Sequence, residues 1–195
     1  MSIFKNIISV VLDFIETIVV ALCIFVVVYL FFLQPHEVIG NSMLPNFHDK
    51  EYILTDKFSY CRREPQRGEV IVFKSPEDPD KDFIKRVIGL PHEKIKIANG
   101  KIFINGAVLA EDYLDPDLRT PSGKFLQEGQ EITIPANSYI AFGDNRLNSS
   151  DSRTWGFIQA SRKCGFFGDS AIIGQAILVY WPPNRLRFIH KTHYR

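Results

Sequence analysis

An apolar segment near the amino terminus constrains the fold of this chain more than any other feature. Residues 17–33 carry no charged side chain, and Phe14 and Ile15 extend the apolar character to about 20 positions, the length that spans a bilayer as a helix. Tyr29 and Gln34 suit the polar interface at the far end of such a helix. We therefore predict a single transmembrane helix.

The end of this run distinguishes an anchor from a cleavable signal peptide. A signal peptide has a shorter apolar core that ends in small residues, whereas this run ends Phe31-Phe32-Leu33-Gln34-Pro35. An uncleaved anchor is predicted, and its orientation is only weakly indicated because Lys5 and Lys50 lie on opposite sides. The chain then divides into a short N-terminal segment over 1–13, a transmembrane anchor over 14–34 and a folded domain over 35–195.

Beyond the anchor, short runs rich in β-branched and aromatic residues alternate with turn residues, which predicts a mainly β, mostly antiparallel domain. The clearest pair is 93–98 and 101–104, where period-two alternation flanks Asn99-Gly100, a typical two-residue hairpin turn. Further strands are predicted over 51–55, 69–73, 83–88 and 138–142, and a buried strand pair over 171–181.

Two stretches lack such a pattern. Residues 110–130 are rich in Asp, Pro and Gly and predict a long surface excursion rather than core. The basic tail over 185–195 is interpreted as a solvated end in preference to a lipid contact.

Composition excludes several classes of function. The 23 Lys and Arg residues nearly balance the 22 Asp and Glu residues, so no overall charge favours nucleic acid. Cys23, Cys61 and Cys164 have no spacing typical of a zinc site, and no metal is expected. Only Cys61 and Cys164 lie outside the apolar run, and the sequence leaves open whether they form a disulfide.

A candidate nucleophile follows the anchor directly. In Gly40-Asn41-Ser42-Met43-Leu44-Pro45, the glycine permits close backbone approach and the proline favours an extended residue before it, so Ser42 can lie on a tight exposed turn. An ordinary juxtamembrane turn explains the same residues, because Gly, Asn, Ser and Pro are common in turns.

Lys85 is a candidate base because of the strand in which it lies. Side chains alternate along a strand, so Lys85 shares a face with Phe83 and Val87 while Arg86 faces the other way. A lysine in apolar surroundings loses hydration in its charged form, which lowers its pKa toward the range of a general base. An exposed edge-strand lysine is the alternative.

A polar loop over 143–153 supplies the remaining candidates. Asp144, Asp151 and Arg153 can form an ion-pair scaffold that holds a hydroxyl such as Ser149 beside Lys85. The alternative is a loop rich in Asp, Asn and Ser whose side chains cap its own backbone.

Taken together, these segments closely resemble the conserved boxes of type I signal peptidases, membrane-bound serine endopeptidases with a Ser/Lys dyad. The similar segments occur in the same order and, with the anchor, cover nearly the whole chain. They are 40–45, 67–73, 85–91 and 143–153.

This resemblance implies removal of signal peptides from secretory preproteins after a small-x-small sequence, through an acyl-enzyme and without cofactor or metal. It also implies a β domain that lies on the membrane surface in contact with lipid, with a cytoplasmic N-terminus and an extracytoplasmic catalytic domain. The implied roles are nucleophile for Ser42, general base for Lys85, orientation of Lys85 for Ser149, and scaffold for Asp144, Asp151 and Arg153.

The chain departs from the family pattern at several positions. Gly40 stands where some members have a serine that supports the oxyanion, so Gly40→Ser is expected to be neutral or modestly faster and Gly40→Ala near neutral, unless the turn requires a positive φ. His92-Glu93 and Leu147 replace more usual residues, and the link over 159–174 is longer than usual. Phe166-Phe167 in this link can pack on the core or enter the bilayer, and packing is slightly favoured.

Two other classes of protein remain as alternatives. One is a hydrolase with a Ser-His-Asp triad that uses His36, His48 or His92, although Ser42 lacks the G-x-S-x-G context of a nucleophile elbow. The other is a membrane-tethered β domain that binds a partner without catalysis.

Overall fold

A long helix precedes the β domain in the computed structural model, which describes residues 2–160, 171–192 and 194. Helix α1 spans Ser2–Phe31, and within it Ile7–Tyr29 is long and apolar enough to cross a membrane. The helix runs through residues 2–13 of the segment predicted as separate over 1–13, since Asp13 and Glu16 are compatible with helical backbone. The boundary predicted between a short N-terminal segment and an anchor over 14–34 stays a prediction.

The rest of the described chain forms short helices, twelve strands and a final 3₁₀ turn over Pro183–Arg185. The helices are α2 (Ser59–Arg62) and α3 (Ser152–Trp155). The strands are β1 (Leu33–Glu37), β2 (Tyr52–Asp56), β3 (Val70–Lys74), β4 (Asp82–Gly89), β5 (Lys94–Ala98), β6 (Lys101–Ile104), β7 (Ala107–Val108), β8 (Glu131–Thr133), β9 (Ser138–Phe142), β10 (Ile158–Gln159), β11 (Ile172–Trp181) and β12 (Arg187–Phe188).

The strands form two antiparallel sheets, which confirms the mainly β fold class. The larger sheet has the order β1-β2-β11-β3-β4-β9-β10, with β12 paired to β11, and the smaller sheet has the order β7-β6-β5-β8. The predicted hairpin is β5-β6, and Asn99 and Gly100 both have positive φ, as its two-residue turn requires. Strand β4 lies inside the larger sheet and carries apolar side chains to three buried clusters, through Ile84, Val87 and Ile88.

Three predictions about segments of the β domain need correction. Residues 172–181 form one bulged strand rather than a pair, because β11 finds partners on both sides in β2 and β3. The excursion over 110–130 is irregular but not all surface, since Leu126 is fully buried in the core beside the β5-β6 hairpin. The tail is not a solvated end, because Arg187 donates to the buried carboxylate of Glu51 and Tyr194 packs on Tyr113.

Strand β1 was missed because proline within a run usually argues against a strand. Pro35 is tolerated because β1 is the edge strand of the larger sheet, paired only to β2. Leu33 and Gln34, assigned to the anchor by sequence, pair with Asp56 and Thr55 in this ladder. Cys164, Phe166 and Phe167 lie outside the described residues, and the described Cys23 is free.

Candidate active site

Ser42 and Lys85 meet at the junction of the turn that follows β1 and strand β4. Lys85 Nζ lies 2.8 Å from Ser42 Oγ, within hydrogen-bonding distance, and donates to the carbonyl oxygen of Ile84 at 2.9 Å. Ser42 is partly exposed, whereas Lys85 is only 4% exposed. A solvent-accessible hydroxyl therefore contacts a buried amine, which is the arrangement a nucleophile and its base require.

The surroundings of Lys85 favour its neutral form. Burial lowers the pKa of Lys85 from its usual 10.5 to about 8, although Asp151 and Asp144 oppose the shift and Arg153 adds to it. The ammonium nitrogen lies 5.2 Å from the centroid of the Phe83 ring. Within the described residues Lys85 forms no ion pair, so no carboxylate fixes its charge.

The turn that presents Ser42 requires glycine at position 40. Gly40 has a φ of +85°, a conformation that side chains with a Cβ rarely adopt, and its N–H donates to Asp49 Oδ1 at 2.7 Å. The tolerance expected of Gly40→Ala and Gly40→Ser stays a prediction, and the positive φ favours the alternative in which a Cβ strains the turn, even though that Cβ would meet no atom within 4 Å. Gly40 N–H is also occupied and cannot serve as an oxyanion donor.

Asp144 and Asn145 hold the serine turn from the opposite side. Asn145 donates its backbone N–H to the Ser42 carbonyl at 3.0 Å and its side-chain amide to the Asn41 carbonyl at 2.9 Å. Asp144 accepts from the Asn46 amide at 2.9 Å. The dipeptide thereby fixes the turn at Asn41, Ser42 and Asn46.

The carboxylate of Asp144 is itself fixed by an arginine that sequence reasoning did not assign. Arg86 donates to Asp144 through Nε at 2.9 Å and Nη2 at 2.6 Å, a bidentate pair that is almost fully buried. Because Arg86 follows Lys85 on β4, this strand places the Lys85 amine on one face and the Arg86 guanidinium on the other.

Asp151 and Arg153 form a second buried pair, with Arg153 Nε and Nη2 each 2.7 Å from an Asp151 oxygen. Asp151 also accepts from Gly143 N–H at 3.0 Å and caps helix α3. The scaffold proposed from sequence thus separates into two ion pairs, and Asp144 belongs to the one with Arg86.

A third buried arginine lies in the loop itself and takes its partners from the excursion that sequence reasoning placed at the surface. Arg146, fully buried, pairs with Glu111 and donates to Tyr113 and Thr120. Its Nε donates to the Gly143 carbonyl at 3.1 Å. The polar, aspartate-rich composition of the excursion gave no signal that its residues neutralise a buried cation.

Ser149 lies beside the dyad without joining it. A Cβ added to Gly143 would lie 2.2 Å from Ser149 Oγ and 2.4 Å from the Ser42 carbonyl oxygen. Ser149 and the Ser42 backbone therefore both pack closely against Gly143. Ser149 Oγ is buried and has no hydrogen-bond partner in the described part of the chain. The structure therefore brings Ser149 to the site but shows no hydrogen bond to Lys85.

Two of the candidate histidines, His36 and His48, have other partners. His36 Nδ1 lies 3.0 Å from Thr55 Oγ1 and its Nε2 lies 3.4 Å from Asp82, while His48 lies 3.7 Å from Glu51. No histidine of the described residues contacts Ser42, so the structure gives no support to a Ser-His-Asp triad. The described residues also contain no group of three or more His, Cys, Asp or Glu side chains that could hold a metal ion.

Comparison with known proteins identifies the family. The family model described as "Signal peptidase, peptidase S26" matches residues 11–181, most of the chain. This chain belongs to the signal peptidase family. It is accordingly a serine endopeptidase of the signal peptidase I type, in a family of membrane-anchored enzymes that act on secretory preproteins.

The relatives span most of the signal peptidase chain. Signal peptidase I of Leptolyngbya laminosa is 36% identical over 165 residues, covering 80% of this chain and 72% of the relative. Signal peptidase I P of Bacillus subtilis subsp. natto is 31% identical and covers 91% of this chain and 92% of the relative. A crystal structure of a signal peptidase I from Enterococcus faecalis is 28% identical with a TM-score of 0.45, covering 58% of this chain and 97% of that one.

Proposed function

We propose that this signal peptidase cleaves preproteins with Ser42 as nucleophile and Lys85 as general base. The neutral amine of Lys85 takes the hydroxyl proton while Ser42 Oγ forms a bond to the scissile carbonyl carbon. The C–N bond then breaks, and the leaving amine takes the proton from the Lys85 ammonium. Water, deprotonated by Lys85, cleaves the acyl-enzyme and restores the serine.

The observation that carries this proposal is the 2.8 Å approach of a buried amine to a partly exposed hydroxyl. A lysine with its usual pKa is almost entirely protonated at pH 7 and cannot accept a proton. With its pKa lowered to about 8, roughly one amine in ten is neutral at pH 7. Histidine and metal are not required for this chemistry.

The oxyanion is assigned to backbone donors. Gly40 N–H is held by Asp49, whereas Ser42 N–H donates to no acceptor among the described residues. Ser42 N–H lies on the residue that forms the acyl bond, so it can point at the oxygen on which negative charge develops. Position 40 contributes backbone conformation rather than a hydroxyl.

The substrate is proposed to bind as an extended strand along β4. Strand β3 pairs with β4 from Asp82 to Arg86, but β9 pairs with it only from Arg86 to Gly89. In the described chain, the edge from Asp82 to Lys85 therefore has no neighbouring strand on that side and can accept a peptide backbone. Shallow apolar sites beside this edge would exclude side chains larger than alanine, which accounts for a small-x-small preference.

The localisation we propose is a single-pass membrane protein with a cytoplasmic N-terminus and an extracytoplasmic catalytic domain that lies on the lipid surface. Only β1 and a short turn separate the end of α1 from Ser42. A site this close to the anchor can reach a cleavage sequence just as it emerges from the bilayer. Protease added to one face of oriented membrane vesicles tests the topology, because the β domain is cut only where it is exposed.

The decisive experiment is incubation of the detergent-solubilised chain with a preprotein, followed by mass determination of the product. We expect one cut after a small-x-small sequence, complete loss of cleavage in Ser42→Ala and Lys85→Arg, and normal cleavage in Lys101→Arg, an exposed control. Ser149→Ala is expected to slow the reaction without abolishing it. Turnover by Lys85→Arg would remove Lys85 as the base, and binding without cleavage by the unaltered chain would favour a non-catalytic domain.

A further inference from the structure

The end of the chain packs against the reverse side of the active-site scaffold. Thr192 donates its N–H to the Gly68 carbonyl at 3.3 Å, and its side-chain hydroxyl accepts from Arg86 Nη1 at 2.9 Å. Arg86 Nη1 also donates to the Gly68 carbonyl at 3.0 Å. The tail and the scaffold arginine thus share one acceptor and bond directly to each other.

Thr192 and Tyr194 lie so close to Gly68 that position 68 has no space for a side chain. A Cβ there would lie 2.3 Å from the Thr192 carbonyl oxygen and 3.0 Å from the Tyr194 ring, and Gly68 has a φ of +86°. Tyr194 in turn packs edge-on against Tyr113, with ring centroids 6.0 Å apart. The Arg86 guanidinium lies over the Tyr113 ring at 4.4 Å, so Tyr194 packs on the ring that covers Arg86.

The contacts continue from Arg86 to the nucleophile. Arg86 holds Asp144, and Asp144 with its neighbour Asn145 holds the turn that presents Ser42. Loss of the Thr192 hydroxyl leaves one N–H of a buried guanidinium without an acceptor. The resulting shift of Arg86 would be transmitted to Asp144, which lies two contacts from the catalytic oxygen.

We propose that Thr192 and Tyr194 are positioning residues of the active site, and that the C-terminal segment is a strap that fixes the Arg86–Asp144 pair and through it the Ser42 turn. The described contacts of Thr192 and Tyr194 are to Gly68, Arg86 and Tyr113 and include none to the free edge of β4, where the substrate is proposed to bind. Loss of the strap contacts is therefore expected to lower kcat and to leave KM unchanged. This inference rests on the proposed roles of Ser42 and Lys85.

Matched substitutions separate this role from a structural one. Thr192→Val keeps the shape but removes the acceptor, whereas Thr192→Ser keeps the acceptor; we expect the valine variant to lower kcat about 3- to 10-fold with KM unchanged and the serine variant to be near wild type. Tyr194→Ala is expected to lower kcat further, and Tyr194→Phe to change it little because the hydroxyl contact to Tyr113 is long, at 3.4 Å.

Amide hydrogen exchange supplies a readout that does not depend on cleavage. In Thr192→Val and Tyr194→Ala we expect faster exchange over 41–46 and 143–148, with the β5-β6 hairpin unchanged. Wild-type kcat in both variants would contradict the proposal that the C-terminal segment positions the Ser42 turn. Lowered thermal stability with unaltered exchange in these two segments would contradict it as well. An inactive parent chain would count against the proposed catalytic roles, while the exchange data would still decide whether the tail positions the turn.

Discussion

At the scale of single residues, burial of the Lys85 amine opposes folding. Lys85 is nearly buried, and its pKa falls from 10.5 to about 8 because the folded state disfavours its charge. The unfolded chain therefore binds more protons between these two pH values, and stability rises with pH across that window. A shift of this size lowers the free energy of unfolding by roughly 3 kcal/mol below pH 8, and this loss disappears as the pH reaches 10.5.

Replacement of this amine by an uncharged chain of similar length should therefore stabilise the protein. We expect Lys85→Met to be inactive yet up to about 3 kcal/mol more stable than the parent at pH 7, with the difference shrinking as pH rises from 8 to 10.5. Unfolding in detergent at several pH values measures this. A pH-independent difference between the two proteins would mean that Lys85 is not desolvated. The kcat/KM of the parent should rise with pH through about 8 for the same reason.

Position 40 tests backbone conformation at the nucleophile. Gly40→Ala should strain the turn by about 1–2 kcal/mol and lower kcat roughly tenfold, because a displaced Ser42 loses alignment with Lys85. Gly106→Ala is a matched control, since Gly106 has the same φ of +85° and equally open space but lies in the β6-β7 turn. Comparable stability loss in both variants with reduced kcat only in Gly40→Ala is the expected result. Equal kcat in the two would show that the turn tolerates a Cβ.

At the scale of elements, the irregular segments contribute as much to the site as the strands do. Strand β4 supplies Lys85 and Arg86 to opposite faces, but the loop over 143–153 is held by charges from elsewhere. The excursion over 110–130 supplies Glu111 to Arg146, whose side chain is completely inaccessible to solvent. A buried cation of this kind is stable only while its partner carboxylate is present.

Removal of that carboxylate should be costly. We expect Glu111→Ala to lower the free energy of unfolding by about 3 kcal/mol, because the Arg146 charge loses its partner in a buried site. Asp117→Ala in the same excursion is the control, since Asp117 is exposed and should change stability by less than about 0.5 kcal/mol. Chemical unfolding of both variants measures the difference. Equal stability would show that the excursion is not part of the scaffold.

At the scale of the whole molecule, the β domain carries an exposed apolar patch at the end of β11 and in the segment that follows it. Trp181, Leu186 and Phe188 are 53%, 62% and 72% exposed. Neighbouring Tyr180 packs on Tyr52, with ring centroids 6.1 Å apart, so β2 adjoins this patch. We expect this patch to contact lipid, because an exposed apolar patch on a membrane-tethered domain is suited to rest on the bilayer.

The two tryptophans of the chain, Trp155 and Trp181, allow a direct test of this contact. In vesicles that contain brominated lipid, fluorescence of Trp155→Phe, which reports Trp181, should be strongly quenched. Fluorescence of Trp181→Phe, which reports Trp155 packed on Phe73 in the core, should not be quenched. Equal quenching in the two variants would place the patch away from the membrane.

Much of the fold follows from patterns that the sequence carries locally. The apolar run predicts the anchor, since no other burial satisfies so many consecutive apolar residues. Alternation with Asn99-Gly100 predicts the β5-β6 hairpin, because the side-chain period and the turn are both local properties. The candidate residues Ser42 and Lys85 were found by motif and strand alternation, and the family comparison supports the class of enzyme.

Tertiary structure alone decided the partners of the charged residues. Asp144 pairs with Arg86 rather than Arg153, Arg146 takes its carboxylate from the excursion, and Thr192 bonds to Arg86 from the end of the chain. These pairs join residues far apart in sequence, and composition does not encode which distant charges share a buried site. The lowered pKa of Lys85 has the same origin, because desolvation depends on what the completed fold packs around the amine.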